Sequence, residues 1–403
     1  MQTNIHPNLK SLPEVQEAEQ ILRSCVHCGF CTAVCPTYQE LGDDLDSPRG
    51  RIYLIKNLLE QDEAGDNSHE HLDRCLTCRS CETTCPSGVQ YARLLDIGRG
   101  LFETRYQPKR QLLRNLMSAA LRFLLPKPRL FAALYHMGLF VKPVLPDFLR
   151  SKMPTNYYVN QIESQQRECQ SQVLVLQGCV QRSLTPGVNQ ALESLLLEQG
   201  VGVTYLSEEG CCGAVDYHLG HHDAGLERMK ALINRIEAQI DQVEWVISTA
   251  TGCGVTLKDY PELFKHDEVY GPKANHIAAK LRDVSEVVGT NYRCQPVNVA
   301  VHTPCTLQHG QKLPGKIEQI LSTAGANVIP SDEAHLCCGS SGTYSVLEPA
   351  LSKQLGTRKV NALTQHAPEV IVTANVGCQT HLDSLADTPV MHWVEFLALY
   401  KKP

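Results

Sequence analysis

Apolar residues in the first hundred positions recur at helical spacing. In SPRGRIYLIKNLLE, Ile52, Ile55, Leu58 and Leu59 fall on one side of a helix, and Ser47 followed by Pro48 supplies its start signal. In VQYARLLDIGRGLFETRY, Leu94, Leu95, Ile97 and Leu101 again gather toward one side. Beyond residue 170 the pattern changes to short β-branched runs alternating with helical stretches. QVLVLQG, VGVTYLSEEG and EWVISTATG read as strands, and so do VNVAVHTP, GANVIPSDEAHL and EVIVTANVG. The helices TPGVNQALESLLLEQG and LPGKIEQILSTAG both open at Pro-Gly and close at glycine, Gly200 and Gly325. Strand, helix and strand in repetition imply largely parallel sheets with crossover helices, whose functional groups gather at the carboxyl ends of the strands.

Residues 104–152 read differently. They carry ten Lys or Arg against one acid, Asp147, and are rich in Leu and Phe. Prolines at 126, 128, 143 and 146 divide them into short helices such as QLLRNLMSAALRFLL and LFAALYHMGLF. Apolar faces flanked by basic residues suit a helix lying among anionic headgroups, with Arg110, Arg114 and Arg122 as the cationic contacts. A helical linker packed between domains or against a partner subunit is the plainer alternative. The longest run without charge or proline, Leu130 to Val141, is shorter than the roughly 20 residues a membrane span needs.

Composition sharpens this picture. With 37 basic and 43 acidic side chains among 403 residues, the net charge of -6 argues against nucleic-acid binding. The opening MQTNIHPNLKSLPEV lacks a charged start followed by an apolar stretch, so a cytoplasmic location with reduced thiols is expected. Eighteen cysteines then point to metal. Eight of them form one string twice, Cys25, Cys28, Cys31, Cys35, Pro36 and Cys75, Cys78, Cys81, Cys85, Pro86. Each is C-x2-C-x2-C-x3-C-P, in which three thiolates wrap one 4Fe-4S cluster and the fourth serves the other cluster. The first cluster takes Cys25, Cys28, Cys31 and Cys85, and the second takes Cys75, Cys78, Cys81 and Cys35. Structural zinc sites draw four ligands from two pairs and do not match two tandem four-cysteine strings.

Eight further cysteines expose a duplication. Cys179, Cys211, Cys212 and Cys253 recur as Cys305, Cys337, Cys338 and Cys378, at offsets of 126, 126, 126 and 125 residues, with Gly213 and Gly339 completing a Cys-Cys-Gly in each copy. All lie at or after strand ends, so each set of four can meet at one site. The site could hold a 4Fe-4S cluster or zinc, or remain a thiol cluster. Adjacent cysteines fit the separate irons of a cluster better than one zinc tetrahedron, which favours an additional iron-sulfur cluster in each copy. His302 and His335 stand near the second set. Without counterparts in the first copy, they read as supporting or ordinary polar residues. Cys169 and Cys294 precede the strands and are expected at the opposite end of each sheet.

The chain thus divides into a helical two-cluster ferredoxin-like domain at 1–103, a basic apolar linker at 104–168, and two α/β cysteine-rich CCG domains with parallel sheets at 169–290 and 291–403. The motifs VHCGFCTAVCPTY, DSPRGRIYLIK, CLTCRSCETTCPSGVQY, GCCGAVDYHLG, TGCGVTLKDY and HLCCGSSGTYSV carry a resemblance over nearly the whole chain. The chain resembles the family of iron-sulfur subunits that join a two-cluster ferredoxin module to two CCG domains, in particular those of bacterial glycolate oxidases, also called glycolate dehydrogenases. That resemblance implies an electron-transfer subunit docked on a flavin-containing dehydrogenase subunit that oxidises glycolate to glyoxylate. It also implies electrons passed on to a membrane quinone, with the chain held peripherally on the cytoplasmic face of the inner membrane.

The residues are compatible with this. No G-x-G-x-x-G follows a strand and no G-x-x-x-x-G-K-[ST] occurs, so hydride chemistry falls to a partner and the chain has no substrate-oxidising site of its own. Full-strength CCG domains, as in heterodisulfide reductases, use a fifth cysteine three residues before the last. Here those positions are Ala250 and Asn375. A thiol/disulfide catalyst is therefore the alternative from another class, and subunits serving lactate or glycerol 3-phosphate oxidation are the alternatives within this one.

Overall fold

Three helices, Pro13–Ser24, Pro48–Gln61 and Tyr91–Leu101, build the N-terminal region in the computed structural model, which describes residues 1–65, 67–106, 112–141, 169–289 and 291–402. Ser47 Oγ accepts the Gly50 N–H at 2.9 Å, and Pro48, with no N–H to leave unpaired, takes the first turn of the second of them. Leu22, Ile55, Leu58, Leu59, Leu94 and Leu95 are fully buried between the three and form their core. The two cysteine strings repeat one backbone path. His27 and Gly29 in the first take φ of 55° and 83°, and Thr77 and Arg79 in the second take 52° and 62°. A left-handed residue in each gap between cysteines curls the loop back around one centre. Three of these four carry a Cβ, so the loops hold a conformation that costs about 1–2 kcal/mol per residue.

The remainder contains two parallel sheets. β1 (Ser171–Leu176), β2 (Val201–Tyr205), β3 (Trp245–Ser248) and β4 (Leu281–Asp283) run in the order β2-β1-β3-β4. β5 (Asn298–Val301), β6 (Asn327–Ile329), β7 (Val370–Thr373) and β8 (Val390–His392) repeat it as β6-β5-β7-β8. Registers match as well: Val173 pairs with Val203 and Trp245, and its counterpart Val299 pairs with Val328 and Val370. The fold class is therefore the one read from the sequence. The fourth strand of each sheet was not foreseen, because its three residues run straight into a helix, at Val284 and at Trp393.

The two copies are fused rather than strung in tandem. Leu192 and Leu195 of the first share one buried core with Ile317, Trp393 and Phe396 of the second and with Tyr292 between them, whose hydroxyl donates to the Leu195 carbonyl. Thr251 N–H donates to the Ala374 carbonyl at 3.3 Å, and His392 Nε2 lies 3.1 Å from the Thr249 carbonyl. The ferredoxin-like region seats across both. Arg79 pairs with Asp259 of the first copy, His218 Nδ1 lies 3.0 Å from Asp96 Oδ1, and from the second copy Ser341 Oγ donates to the Leu76 carbonyl at 2.7 Å.

Helices Leu112–Leu124 and Pro128–Val141 match the two predicted in the basic segment. Two of their arginines, Arg114 and Arg122, turn inward, against the headgroup reading, while Arg129 stays exposed beside Glu208. Arg114 pairs with Asp73 at 3.3 Å and with Glu348, and Arg122 Nε donates to Asp216 at 2.8 Å. Carboxylates partly or wholly withdrawn from water offer these two cations stronger partners than solvent does. Arg110 lies outside the described residues.

The glycine of each Cys-Cys-Gly is fixed by its backbone. Gly213 and Gly339 have φ of 83° and 85°, and a Cβ would lie 2.6 Å from the Gly225 carbonyl oxygen or 2.7 Å from that of Ser352. Gly339→Ala should lower the unfolding free energy in urea by about 2–3 kcal/mol. Gly342→Ala, also at positive φ but in open space, should cost about 1 kcal/mol. Equal losses would show that the close approach to Ser352 is not what requires glycine.

Candidate metal centres

The two strings exchange their fourth cysteines. Cys25, Cys28 and Cys31 line one cavity with Cys85, while Cys75, Cys78 and Cys81 line another with Cys35. Cys81 borders both, so the cavities are neighbours. The first opens at the surface, where Cys28, Val26 and Phe30 are exposed. Burial, followed by the charge of Cys25, pushes the Cys31 thiol up to about 11.

The second cavity is lined by polar groups suited to anionic sulfur. Tyr91 hydroxyl donates to Cys75 Sγ at 3.6 Å, the Thr77 N–H reaches the same sulfur at 3.4 Å, and Thr37 Oγ1 lies 3.3 Å from Cys35 Sγ. Arg51 is wholly buried beside it, donating to Thr37 Oγ1 at 3.0 Å, Asp46 at 3.2 Å and the His71 carbonyl at 2.6 Å. Burial works against its charge, but Cys75, Tyr91, Cys35 and Asp46 hold its pKa above the usual arginine value. Cys78 packs in one cluster with Cys337 and Cys305, which sets this centre next to the second CCG copy, and burial and then the charge of Cys305 push the Cys78 thiol well above the ordinary range.

In each copy the four thiols influence one another in one order, Cys179–Cys211–Cys212–Cys253 and Cys305–Cys337–Cys338–Cys378. Cys305 Sγ lies 3.8 Å from Cys337 Sγ. Cys179 and Cys305 are held well above the ordinary thiol range by the hydrogen bonds to Cys211 and Cys337 and then by burial. Thiols of this kind give up their protons to a cation and not to solvent, so the donor set fits a metal. Both rows open on a single cavity of about 500 Å³, which Cys75 and Cys78 also reach.

The second copy has groups the first does not. A ring nitrogen of His302, Cys338 Sγ and Cys378 Sγ all lie within 4.8 Å of one another. Burial, then Lys359 and His381, lowers the His302 pKa far below the usual histidine value. Lys359, only 3% exposed, donates to the Glu333 carbonyl. Burial lowers its pKa, while Cys338 and Cys337 are the leading groups that raise it. Asn375 Nδ2 donates to Cys378 Sγ at 3.6 Å, so the position of the missing fifth cysteine supplies a hydrogen bond instead. His335 contributes its backbone carbonyl to His309 Nε2 at 3.1 Å. Cys294 is buried in the shared core, bridged to Lys401.

The sequence reading did not anticipate Arg51 or Lys359. The available signal was a cation inside an apolar row: Arg51 precedes Ile55 and Leu58 on the buried face, and Lys359 interrupts Leu351, Leu355 and Leu363.

Comparison with known proteins places the chain in a class. Residues 21–89 match the 4Fe-4S dicluster domain, and residues 173–258 and 299–383 match the cysteine-rich domain, CCG, so the protein is an iron-sulfur electron-transfer subunit. It is 45% identical over 407 residues to the glycolate oxidase iron-sulfur subunit of Escherichia coli (strain K12), covering 98% of each chain. It is 32% identical over 396 residues to the probable glycolate oxidase iron-sulfur subunit of Bacillus subtilis (strain 168), covering 89% of this chain and 87% of that one. Among solved structures, a hypothetical protein from Helicobacter pylori shares the fold, with a TM-score of 0.59 at 9% identity over 99% of this chain and 76% of that one. The chain belongs to the family of glycolate oxidase iron-sulfur subunits.

Removing Arg51 tests its place in the second ferredoxin centre. Arg51→Met strips the cation from beside Cys35 and Cys75, while Asp46 keeps Arg74 at 3.1 Å, so the cost in stability stays below about 3–5 kcal/mol, that of a buried charge left wholly unpaired. Iron in the anaerobically purified chain should fall by about 4 atoms per chain, the content of one cluster. Unchanged iron would show that Arg51 serves only the protein fold.

Proposed function

We propose that this chain carries electrons from a flavin-containing dehydrogenase subunit, which oxidises glycolate to glyoxylate, to a membrane quinone. The observation that carries the reading is the contiguity of the thiol centres. The exposed set Cys25, Cys28, Cys31 and Cys85 adjoins the buried set Cys35, Cys75, Cys78 and Cys81, and the latter shares a cavity with both CCG rows. In this reading the two ferredoxin sets hold 4Fe-4S clusters and each CCG row holds a further iron-sulfur cluster. Such clusters pass electrons one at a time.

The chain's own residues give the route a direction. Val26 and Phe30 beside Cys28 form the apolar patch on which the flavoprotein docks. Arg51 stabilises added negative charge at the inner ferredoxin set, which draws electrons inward. Cys78 stands against Cys305 and Cys337, so the second CCG row receives them. Two transfers deliver the two electrons of each glycolate.

Access to the membrane falls to the helices Leu112–Leu124 and Pro128–Val141. Leu112, Leu113 and Phe140 are 74%, 67% and 87% exposed, while Leu121, Leu125, Phe131 and Tyr135 line the shared cavity from the same segment. Among the described residues no helix is long and apolar enough to cross a membrane. The segment lies in the surface of the cytoplasmic leaflet, held by its apolar face.

Cys28→Ser and Cys78→Ser should each abolish glycolate-driven reduction of a quinone analogue by the assembled complex while reduction of the partner's flavin persists. Surviving quinone reduction would remove the ferredoxin sets from the route. Replacing Leu112, Leu113 and Phe140 together by Ser should weaken binding to liposomes of anionic phospholipid at least tenfold, since each buried side chain contributes up to about 2 kcal/mol. Unchanged liposome binding would assign the apolar face to a partner subunit.

A further inference from the structure

We infer that His302 is a metal ligand, binding through Nε2 as a fifth protein donor to the second CCG site, beside Cys338 and Cys378. The inference rests on the reading that this site holds a metal, and it goes further by giving the two copies different donor sets. The metal is thiophilic, the iron of a cluster or a zinc ion, for each of which imidazole and thiolate are ordinary ligands.

Three observations carry it. His302 follows β5 directly, at the carboxyl end of the strand and three residues before Cys305, so the backbone delivers it to the thiol row. Its side chain is 2% exposed, and Nε2 has no hydrogen-bond partner among the described residues. A buried ring nitrogen left unpaired costs about 1–3 kcal/mol and calls for an explanation. A ring nitrogen of His302 and the sulfurs of Cys338 and Cys378 lie within 4.8 Å of one another, close enough for one small centre to bind all three side chains.

The first copy supplies the contrast. Val299-Ala300-Val301-His302 aligns with Val173-Leu174-Val175-Leu176, each ending three residues before the first cysteine of its row. Leu176 packs in the apolar core of its domain and offers no donor. Packing alone is thus met by leucine at this place in the fold, and the imidazole of the second copy serves something else. The position three residues before the last cysteine does not supply the fifth donor either: Asn375 presents Nδ2 to Cys378 Sγ as a hydrogen-bond donor. His302 approaches the row from the opposite end of the motif.

The test uses the full chain, purified anaerobically, with iron and zinc counted in wild type, His302→Leu, His302→Cys and Cys378→Ser. His302→Leu installs the residue of the first copy and keeps the volume nearly constant. Iron of the ferredoxin sets serves as the folding control. Cys378→Ser and His302→Leu should lose the same complement of metal, and His302→Cys should regain it. Wild type labelled with 15N-histidine should show nitrogen hyperfine coupling if the metal is iron, or imidazole scattering at the zinc edge if it is zinc. His302→Cys should lack either signature. Full metal content in Cys378→Ser would sink the underlying reading that the site holds metal. Metal lost in Cys378→Ser, with His302→Leu fully loaded and no histidine nitrogen signature in wild type, would overturn the ligand role alone. Should His302→Leu also lose the ferredoxin iron, the labelled wild type decides, because it requires no substitution.

Discussion

Negative charge on sulfur has to be held inside this protein, and the rest of the architecture answers to that constraint. Sixteen cysteines form four groups, half of them buried and only Cys28 exposed, and away from water a thiolate without a cation is costly. Backbone turns at His27, Gly29, Thr77 and Arg79 bring sulfurs together, and hydrogen bonds from Tyr91, Thr77 and Asn375 meet some of them. Beside two of the groups a basic side chain is buried: Arg51 at the inner ferredoxin set and Lys359 at the second CCG row. Burying a long cationic side chain is unfavourable unless an anion waits for it. Arg51 is met by Asp46 at 3.2 Å and also faces Cys35 and Cys75, and Lys359 faces Cys337 and Cys338, so each cation is placed to compensate charge on the sulfurs beside it.

The same constraint explains what was legible in the sequence. Cysteine spacing records local loop geometry, so the exchange of Cys35 and Cys85 between the strings and the duplication of the CCG rows could be read directly. The strand runs around Val173 and Val299 were long enough to be recognised, whereas Leu281–Asp283 and Val390–His392 were not, since each passes without a break into the helix that follows and is held as a strand only by the neighbour it pairs with. Long-range choices were hidden. Nothing local to Arg114 or Arg122 says that Asp73, Glu348 and Asp216 wait for them, and composition alone sent those arginines to the membrane. Separate domain boundaries at 290 and 291 likewise missed the common core of Leu195, Tyr292 and Trp393, because contacts between distant segments leave no periodic trace.

Fusion of the two copies has a functional consequence. Had each CCG domain kept its own core, the two thiol rows would stand at independent strand ends with a flexible relation between them. Instead Thr251, Ala374, Thr249 and His392 lock the loops that carry Cys253 and Cys378, and Gly252 N–H donates to Asn375 Oδ1 at 3.3 Å. The ferredoxin-like region is clamped across this joint through Arg79, Asp96 and Leu76. Electron transfer falls steeply with distance, so a rigid joint protects the one quantity on which the proposed route depends.

Duplication then leaves an asymmetry to be explained. Sheet order, register and the sequence of thiol contacts are the same in both copies, so selection for folding alone would have kept them interchangeable. Yet the buried imidazole and the buried ammonium occur in the second copy, where Leu176 and Ile233 stand at the corresponding places of the first. The second copy is also the one whose leading thiols, Cys305 and Cys337, lie against Cys78 of the ferredoxin-like region. A centre that receives electrons from a neighbour needs its charge compensated as they arrive, while a centre farther along can leave that work to its substrate or acceptor. The side of the molecule that meets the ferredoxin-like region is thus the side on which the duplicated site has diverged, which is what a directional route requires and a symmetric store of thiols does not.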